Sequence, residues 1–341
     1  MKILGIETSC DETSAAVVDG NGRILSNVIS SQIELHRPYG GVVPEIAARH
    51  HVELLPRVVT DAIFSAGIDW GDVDAVAATY GPGLASSLLI GVSFAKALAL
   101  RLNVNFCVVN HMEAHILSVF IGTDFFDNLS SVTPFLALVV SGGHTALVRV
   151  KSVGDYKLVG ETLDDAAGEA FDKGAKLLGL EYPGGPAIDA IARNGDPHKI
   201  KFPIGPSRIN RQSGKFIYSF SGIKTSLLYY LRSHPIKDEY NRNDVAASYQ
   251  EAIAESLIRG CEAMHRKGEN IAAAGGVSLN SCLRAKLQNF ADKRRIKLFL
   301  PSAGLSADNA AMVAGLACLG RGIWGKTAMD MDVDPNLPVP G

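Results

Sequence analysis

The chain has 341 residues, which is long enough for two domains of ordinary size, each with its own core. Hydrophobic residues make up 47% and charged residues 20% of the sequence, as is typical of a well-packed globular protein. The net charge of −2 at pH 7 lacks the excess of lysine and arginine that a stand-alone nucleic-acid binder carries. Contact with a nucleic acid would therefore require a local basic patch or a partner protein.

The N-terminal sequence MKILGIETSCDE has neither the apolar stretch nor the cleavage site of a secretory signal. The sequence also lacks the run of about 18 apolar residues that a membrane-spanning helix requires. The five cysteines form no CxxC pair, so neither a disulfide framework nor a thiolate zinc site is predicted. We expect a cytoplasmic protein with reduced thiols and no association with a membrane.

Two segments of the sequence are similar in pattern and indicate a duplication. They are KILGIETSCDETSAAVVDGNGRILSNVI, which begins near residue 3, and FLALVVSGGHTALVRVKSVGDYKLVGET, which begins near residue 136. Each has the pattern of three strands joined by short turns. We expect a first half over 1–110 and a second half over 111–308 that carries the metal and most substrate motifs, with a C-terminal helix of about 309–325 packing back on the first half.

Helices and strands alternate after each of these three-stranded segments. After the first, the pattern predicts helices at 44–66 and 84–101 and strands at 75–79 and 106–109. After the second, it predicts helices at 166–178, 187–193, 222–231, 245–266, 279–290 and 309–319, strands at 271–274 and 297–300, and a basic loop up to about 218. The arrangement predicts an α/β protein with mixed sheets, helices on both sheet faces and a ligand cleft between the halves.

His111 and His115 lie in NHMEAH, at the start of a predicted helix. A spacing of four residues places both side chains on one helix face, where two imidazoles can bind one metal ion. From the spacing alone, a structural role for the pair is the alternative. A zincin protease needs glutamate directly after the first histidine, and Met112 stands there instead, so this activity is not predicted.

Asp308 stands at the start of the last predicted helix, in SADNAAM. At this position a carboxylate could cap the helix or supply a third metal ligand. Two histidines and one carboxylate are the ligand set of non-haem iron sites and of open zinc sites. Taken together with the histidine pair, Asp308 therefore predicts a metal centre.

Two glycine-rich turns are suited to bind a nucleotide. Ser141, Gly142 and Gly143 follow an apolar strand, and the backbone N–H groups of such a turn can surround a phosphate. AAAGGVSLN is a predicted strand, Gly-Gly turn and helix, in which Asn280 could bind a ribose or a base edge. Asp172 lies too far inside its acidic helix to be explained by the helix dipole alone. For the Ser141 turn the alternative is an unrelated hairpin turn, and for the Gly-Gly turn it is a glycine that only ends the strand.

Two basic clusters could contact RNA, although a solvated surface explains each cluster equally well. They are Lys199, Lys201, Arg208, Arg211 and Lys215, then Lys293, Arg294, Arg295 and Lys297.

Ten motifs occur in an order that resembles one family. They are GIETSCDET, YGGVVPE, GPGLASSLLIG, NHMEAH, VVSGGHT, DDAAGEAFDK, YPGGP, SFSGIKT, AAGGVSLN and ADNAAM. The family is the bacterial TsaD family of tRNA N6-adenosine threonylcarbamoyltransferases, formerly labelled O-sialoglycoprotein endopeptidases. The similarity runs from about Lys2 to Met312 and is specific as a set.

The resemblance implies a duplicated actin-like, Hsp70-like and sugar-kinase-like fold, of the ribonuclease H-like kind, with two domains around a central nucleotide cleft. It implies that His111, His115 and Asp308 hold one divalent metal ion per chain, usually Fe²⁺, with Zn²⁺ as the alternative. It also implies that threonylcarbamoyl-AMP is bound by Val139, Val140, Ser141, Gly142, Gly143, Asp172, Gly185, Asp189 and Asn280.

The implied activity is transfer of the threonylcarbamoyl group from threonylcarbamoyl-AMP to N6 of the adenosine next to the anticodon, in tRNAs that read codons beginning with adenine. The implied partners are tRNA and TsaB-like and TsaE-like proteins. No residue singles itself out as a general base, so none is assigned. One alternative is a carbamoyltransferase of the same superfamily with another acceptor. The other is an actin-like ATPase binding module, which would need carboxylates and magnesium rather than a histidine pair.

Overall fold

The computed structural model describes residues 1–205 and 208–339. The chain forms two compact units, and the first comprises residues 1–132 together with the segment that begins at Pro301. The second unit is Thr133–Leu300. The boundary falls at 132/133 rather than at the expected 110/111, because the helix that follows residue 110 belongs to the first unit, as does the C-terminal segment that was expected to pack there.

Residues 1–132 form three strands followed by alternating helices and strands. The strands are β1 (Lys2–Glu7), β2 (Glu12–Asp19), β3 (Ile24–Ser31), β4 (Ala75–Gly81) and β5 (Asn105–Asn110). The helices are α1 (Ile33–His36), α2 (Pro44–Ser65), α3 (Ala85–Leu102) and α4 (His111–Ser118), with short 3₁₀ helices at Arg37–Tyr39, Trp70–Asp72 and Phe126–Ser131.

The second unit also begins with three strands. Its strands are β6 (Phe135–Val140), β7 (Thr145–Ser152), β8 (Asp155–Thr162), β9 (Arg208–Ile209), β10 (Phe216–Tyr218), β11 (Asn270–Ala274) and β12 (Leu298–Phe299). Its helices are α5 (Ala167–Leu177), α6 (Gly184–Ala192), α7 (Ser221–Ser233), α8 (Glu239–Met264) and α9 (Ser281–Arg294), with a 3₁₀ helix at Gly276–Leu279. The end of the expected basic loop is thus a strand, because β10 pairs in parallel with β8.

The C-terminal segment adds four elements to the first unit. They are α10 (Ala303–Ser306), α11 (Ala310–Cys318), β13 (Ile323–Trp324) and α12 (Gly325–Asp330). Helix α11 packs against β1, β2 and α4, and β13 pairs with β5. The segment expected as one helix to about 325 therefore ends earlier, at Cys318, because Gly320 two residues on has a left-handed φ of 70° that is incompatible with a continuing helix.

Five strands of each sheet follow the same order, β5-β4-β1-β2-β3 in the first and β12-β11-β6-β7-β8 in the second, which accounts for the similar sequence segments. Within the described residues, the first sheet has the order β13-β5-β4-β1-β2-β3 and the second has β12-β11-β6-β7-β8-β10-β9. In both, an antiparallel three-stranded meander is extended by parallel strands at its first strand. The predicted duplicated α/β fold is confirmed.

The core strands are buried on both faces. Every residue of β6 is buried, as expected for a strand whose sheet carries helices on both sides. Helix α2 begins at Pro44, where the missing N–H costs no hydrogen bond, and buries Leu55, Val58 and Ala62 at helical spacing. These patterns of burial explain why apolar runs and amphipathic periods predicted the elements well.

Helix α3 is long and apolar enough to cross a membrane by length and composition alone. Its 18-residue window has a mean hydropathy of 1.5. Leu88, Val92, Ala95 and Ala99 on this helix are buried, and the helix packs against β4 and α2. Core helices of soluble proteins have the same composition, so this single helix is weak evidence for a membrane span.

Candidate metal centre and substrate loops

Helix α4 holds the histidine pair at a fixed position. Asn110 caps its N-terminus, because the Asn110 side-chain oxygen accepts hydrogen bonds from the N–H groups of Met112 (2.8 Å) and Glu113 (3.1 Å). All eight residues of α4 are buried. The rings of His111 and His115 lie edge to face with centroids 4.6 Å apart. The predicted juxtaposition of the two imidazoles is therefore present.

Asp308 lies against both histidines. Its Oδ1 is 2.9 Å from Nε2 of His115 and 3.6 Å from Nε2 of His111. The capping role considered for Asp308 is taken by Asn309 instead, whose side chain accepts from the N–H of Met312 at 3.1 Å. This division of roles leaves the Asp308 carboxylate directed at the imidazoles.

The three side chains fit a divalent metal ion. One ligand atom from each of His111, His115 and Asp308 lies within 4.8 Å of the other two. Neutral imidazole nitrogen and carboxylate oxygen suit Fe²⁺ and Zn²⁺, and three protein ligands leave coordination positions open for a substrate. Within the described residues, the buried Nδ1 of His115 has no hydrogen-bond partner, so nothing on that side fixes its tautomer.

Glu7 is a part of this site that the sequence analysis missed. It ends β1, is fully buried, and its Oε2 lies 3.1 Å from Nδ1 of His111. Ser9 Oγ lies 3.2 Å from the same nitrogen. The sequence signal for Glu7 is a charged residue at the end of an apolar strand, in KILGIE, which is costly to bury unless it is paired.

The electrostatics of the site favour a positive charge. Burial by itself lowers the pKa of His111, but the carboxylates of Asp308 and Glu7 outweigh it and raise the pKa to about 9. Burial alone would raise the pKa of Glu7, but His111 lowers it. Burial and the carboxylates of Asp11 and Asp308 raise the pKa of Glu12 well above its ordinary value. Such a cluster of carboxylates stabilises a cation among them.

In the second unit, Ser141, Gly142 and Gly143 form the turn between β6 and β7. The Ser141 N–H donates to the carbonyl of His144 (2.9 Å), and Ser141 Oγ accepts from the N–H of His144 (3.1 Å). A methyl group on Gly142 or Gly143 would meet no described atom within 4 Å. The turn is therefore open to a ligand. Val139 and Val140 are fully buried in β6, so their side chains fix the turn rather than line its surface.

The other predicted substrate residues lie in or next to helices α5, α6 and α9, and their polar side chains are engaged within the protein. Oδ1 of Asp172 accepts from the N–H of Gly184 (2.7 Å), which places α5 against the start of α6, where Gly185 lies. Asp189 accepts from the hydroxyl of Ser281 (2.6 Å). Asn280 caps α9 through its oxygen, and its amide nitrogen donates to Gln250 (2.7 Å). Asp189 is thus hydrogen-bonded to the start of α9. Both polar atoms of the Asn280 side chain have hydrogen-bond partners within the protein.

Solved structures with the same fold define the class of this protein. Component A of (R)-2-hydroxyglutaryl-CoA dehydratase from Acidaminococcus fermentans aligns with a TM-score of 0.55 at 13% identity, over 94% of this chain and 97% of that chain. HypF from T. kodakarensis aligns with a TM-score of 0.58 at 15% identity, over 94% of this chain and 47% of that chain. The protein has the actin-like, sugar-kinase-like α/β fold.

Sequence comparison identifies the family within this class. The family model described as "TsaD: tRNA N6-adenosine threonylcarbamoyltransferase" matches residues 23–315. A protein of that name from Clostridium perfringens is 46% identical over 340 residues, covering 98% of this chain and 97% of the relative. One from Geotalea uraniireducens is 49% identical over 317 residues, covering 92% and 90%. The chain belongs to the TsaD family, and the expected resemblance is confirmed.

Proposed function

We propose that this protein transfers the threonylcarbamoyl group from threonylcarbamoyl-AMP to N6 of the adenosine next to the anticodon, in tRNAs that read codons beginning with adenine. The N6 nitrogen attacks the carbamoyl carbon, the bond from that carbon to the phosphate oxygen breaks, AMP leaves, and N6 loses one proton. The observation that carries the proposal is the buried His111, His115 and Asp308 cluster in a chain that matches this transferase family over nearly its whole length.

His111, His115 and Asp308 would hold one divalent metal ion, and Fe²⁺ is favoured over Zn²⁺. Two histidines with one carboxylate and open positions are typical of non-haem iron(II) sites. When bound, the ion supplies Lewis acidity toward an oxygen of the threonylcarbamoyl group. Asn110 and the buried surface of α4 keep the two imidazoles in place, so the protein supplies the preorganisation of the site.

The adenylate would bind to the second unit through Val139, Val140, Ser141, Gly142, Gly143, Asp172, Gly185, Asp189 and Asn280. The open turn between β6 and β7 supports this assignment, because its backbone N–H groups are suited to a phosphate and would stabilise negative charge as AMP leaves. Asp172, Asp189 and Asn280 hold the surrounding helix starts together by the hydrogen bonds described above. Their main contribution would be to shape the surface that the nucleotide contacts.

The tRNA substrate would place the protein in the cytoplasm and would require basic contacts. Lys199, Lys201, Arg208 and Arg211 are exposed, whereas Lys215 is paired with Glu161 at 2.9 Å. A net charge of −2 leaves little general attraction for RNA, so TsaB-like and TsaE-like partners are expected to assist. The target base must leave its stacked position in the anticodon loop to react, which is easier in a single-stranded loop.

The experiment is mass spectrometry of nucleosides from tRNA incubated with the protein, threonine, bicarbonate, ATP, an adenylate-forming enzyme and the partner proteins. We expect threonylcarbamoyladenosine with the wild-type protein and its loss in His111→Ala and Asp308→Ala. His198→Ala is the matched control, because His198 is exposed and lies outside the cluster. Metal content measured on the same samples should fall with the two cluster variants and not with the control.

The same experiment distinguishes the proposed function from the main alternative, a carbamoyltransferase with another acceptor. If the adenylate is consumed while tRNA stays unmodified, the acceptor is another molecule and a carbamoyltransferase of different specificity is indicated. If all variants modify tRNA as well as the wild type does, the metal cluster is not part of the reaction.

A further inference from the structure

Three polar groups converge on the Glu7 carboxylate. The Ser9 N–H donates to Oε1 at 2.5 Å, and the Thr79 hydroxyl donates to Oε2 at 2.6 Å. Nδ1 of His111 lies 3.1 Å from Oε2. Glu7 has no solvent-exposed surface, so its charge is held by these partners rather than by water.

A buried carboxylate fixes the tautomer of the imidazole beside it. An ionised carboxylate accepts hydrogen bonds and cannot donate them, so the neighbouring Nδ1 of His111 must carry the proton. The Ser9 hydroxyl near the same nitrogen can donate or accept, so it adapts to this choice. In neutral His111, Nε2 then bears the lone pair, and this is the nitrogen that lies 3.6 Å from Asp308.

We propose that Glu7 is a positioning residue for the metal centre, which keeps the proton of neutral His111 on Nδ1 and its lone pair on Nε2, the nitrogen that would bind the ion. This role rests on the proposed metal site. Glu7 accepts from Nδ1 of His111, but no described residue accepts from Nδ1 of His115, which is buried without a hydrogen-bond partner. Outer-shell carboxylates of this kind orient histidine ligands and raise their basicity. Glu7 and Asp308 would also balance the two positive charges of the ion.

The hydrogen-bond geometry around Glu7 predicts that Glu7→Gln weakens metal binding. Gln has one acceptor oxygen and one donor NH₂ group, whereas three donors point at this side chain. If its NH₂ faces His111, Nδ1 must accept and the proton moves to Nε2, where it blocks the metal. If its oxygen faces His111, the NH₂ group opposes the N–H of Ser9. In the second orientation a neutral oxygen also replaces the charged acceptor of Nδ1, so either orientation weakens metal binding although the side chain keeps its size.

The test is a metal-affinity measurement with Co²⁺ and a competing chelator on the full-length protein. Loss of an outer-shell partner typically weakens metal binding roughly 10- to 100-fold, and we expect this for Glu7→Gln. Glu113→Gln is the matched control, because Glu113 is a buried carboxylate on α4 that pairs with Arg321 at 2.8 Å. The control should bind Co²⁺ as the wild type does, with the same visible absorption.

Melting temperatures with and without Co²⁺ separate positioning from a purely structural role. A ligand that binds only the folded protein stabilises it by an amount that rises with the logarithm of ligand concentration over Kd, so the shift in melting temperature caused by Co²⁺ should shrink in Glu7→Gln. Unchanged affinity with a lower melting temperature in both states would overturn the positioning role alone. A wild type that binds no Co²⁺ would overturn the metal site and this role with it. If Glu7→Gln does not fold, Glu7→Asp keeps the charge but cannot reach His111, and it should also weaken binding.

Discussion

Nε2 of His115 lies 2.9 Å from Oδ1 of Asp308, although 193 residues separate them in the sequence. The contact arises because α4 follows β5 directly while α11, which begins just after Asp308, packs against α4. The same carboxylate oxygen is 3.6 Å from His111. One oxygen of Asp308 therefore lies close to both imidazoles. Asp308 comes from the C-terminal segment, and the two histidines come from residues 1–132.

Asp308→Asn should remove the metal more completely than loss of an outer-shell partner does. The amide keeps the size of the side chain but loses the charge that faces both histidines, so metal affinity should fall by more than about 100-fold. Metal content after dialysis, measured by plasma mass spectrometry, checks this. Asp61→Asn, a change at an exposed position of α2, should retain the metal. Stoichiometric metal in Asp308→Asn would exclude the carboxylate as a ligand.

The histidine pair could be predicted from sequence because four-residue spacing on a helix is a local property. Glu7 could not, since its contact with His111 spans 104 residues and depends on β1, β4 and β5 being neighbours. Asp308 could be predicted only in combination with the histidine pair and from the family resemblance, because its position alone favours a helix cap. The apolar periods of α2 and β6 predicted those elements closely, whereas short strands such as β10 and β13 depend on pairing with distant strands.

Gly275→Ala should destabilise the second unit. Gly275 has φ 88° and ψ 162°, a region that residues with a Cβ avoid, and an added methyl group would overlap the carbonyl oxygen of Val140. We expect a loss of roughly 3 kcal/mol in the free energy of unfolding. Circular dichroism should record the change.

Gly142→Ala is the control for that experiment and tests a second point. Its added methyl group meets no described atom within 4 Å, so stability should change little. The methyl group would instead occupy the open surface of the turn between β6 and β7, and weaker binding of AMP or a stable adenylate analogue is expected. Normal stability together with normal nucleotide binding would argue against this turn as the phosphate site.

The pKa of the Asp165 carboxyl group predicts how the stability of the protein depends on pH. Burial by itself raises its pKa, but hydrogen bonds from Lys173 (2.8 Å) and Lys224 (3.0 Å) outweigh it, so the pKa lies below its ordinary value. A carboxylate whose folded pKa is lowered stabilises the protein above its unfolded pKa of about 3.9, and this contribution is lost as pH falls through the folded value. Asp165→Asn should therefore lose less stability on acidification than the wild type. Asp155→Asn, at an exposed pair with Lys151, should follow the wild type.

The exposed basic residues before β10 test how tRNA is bound. Lys199→Glu with Lys201→Glu should weaken tRNA binding uniformly across tRNAs, because contacts to phosphates carry no sequence information. Each lost phosphate contact should also flatten the slope of log affinity against log salt by about 0.7 to 0.9, so affinity is measured over a range of salt concentrations. Lys237→Glu with Lys267→Glu changes the net charge equally at two other exposed positions and is the matched control. Equal losses in both pairs would indicate a general charge effect, whereas a flatter slope in the first pair alone would assign this segment to the tRNA contact.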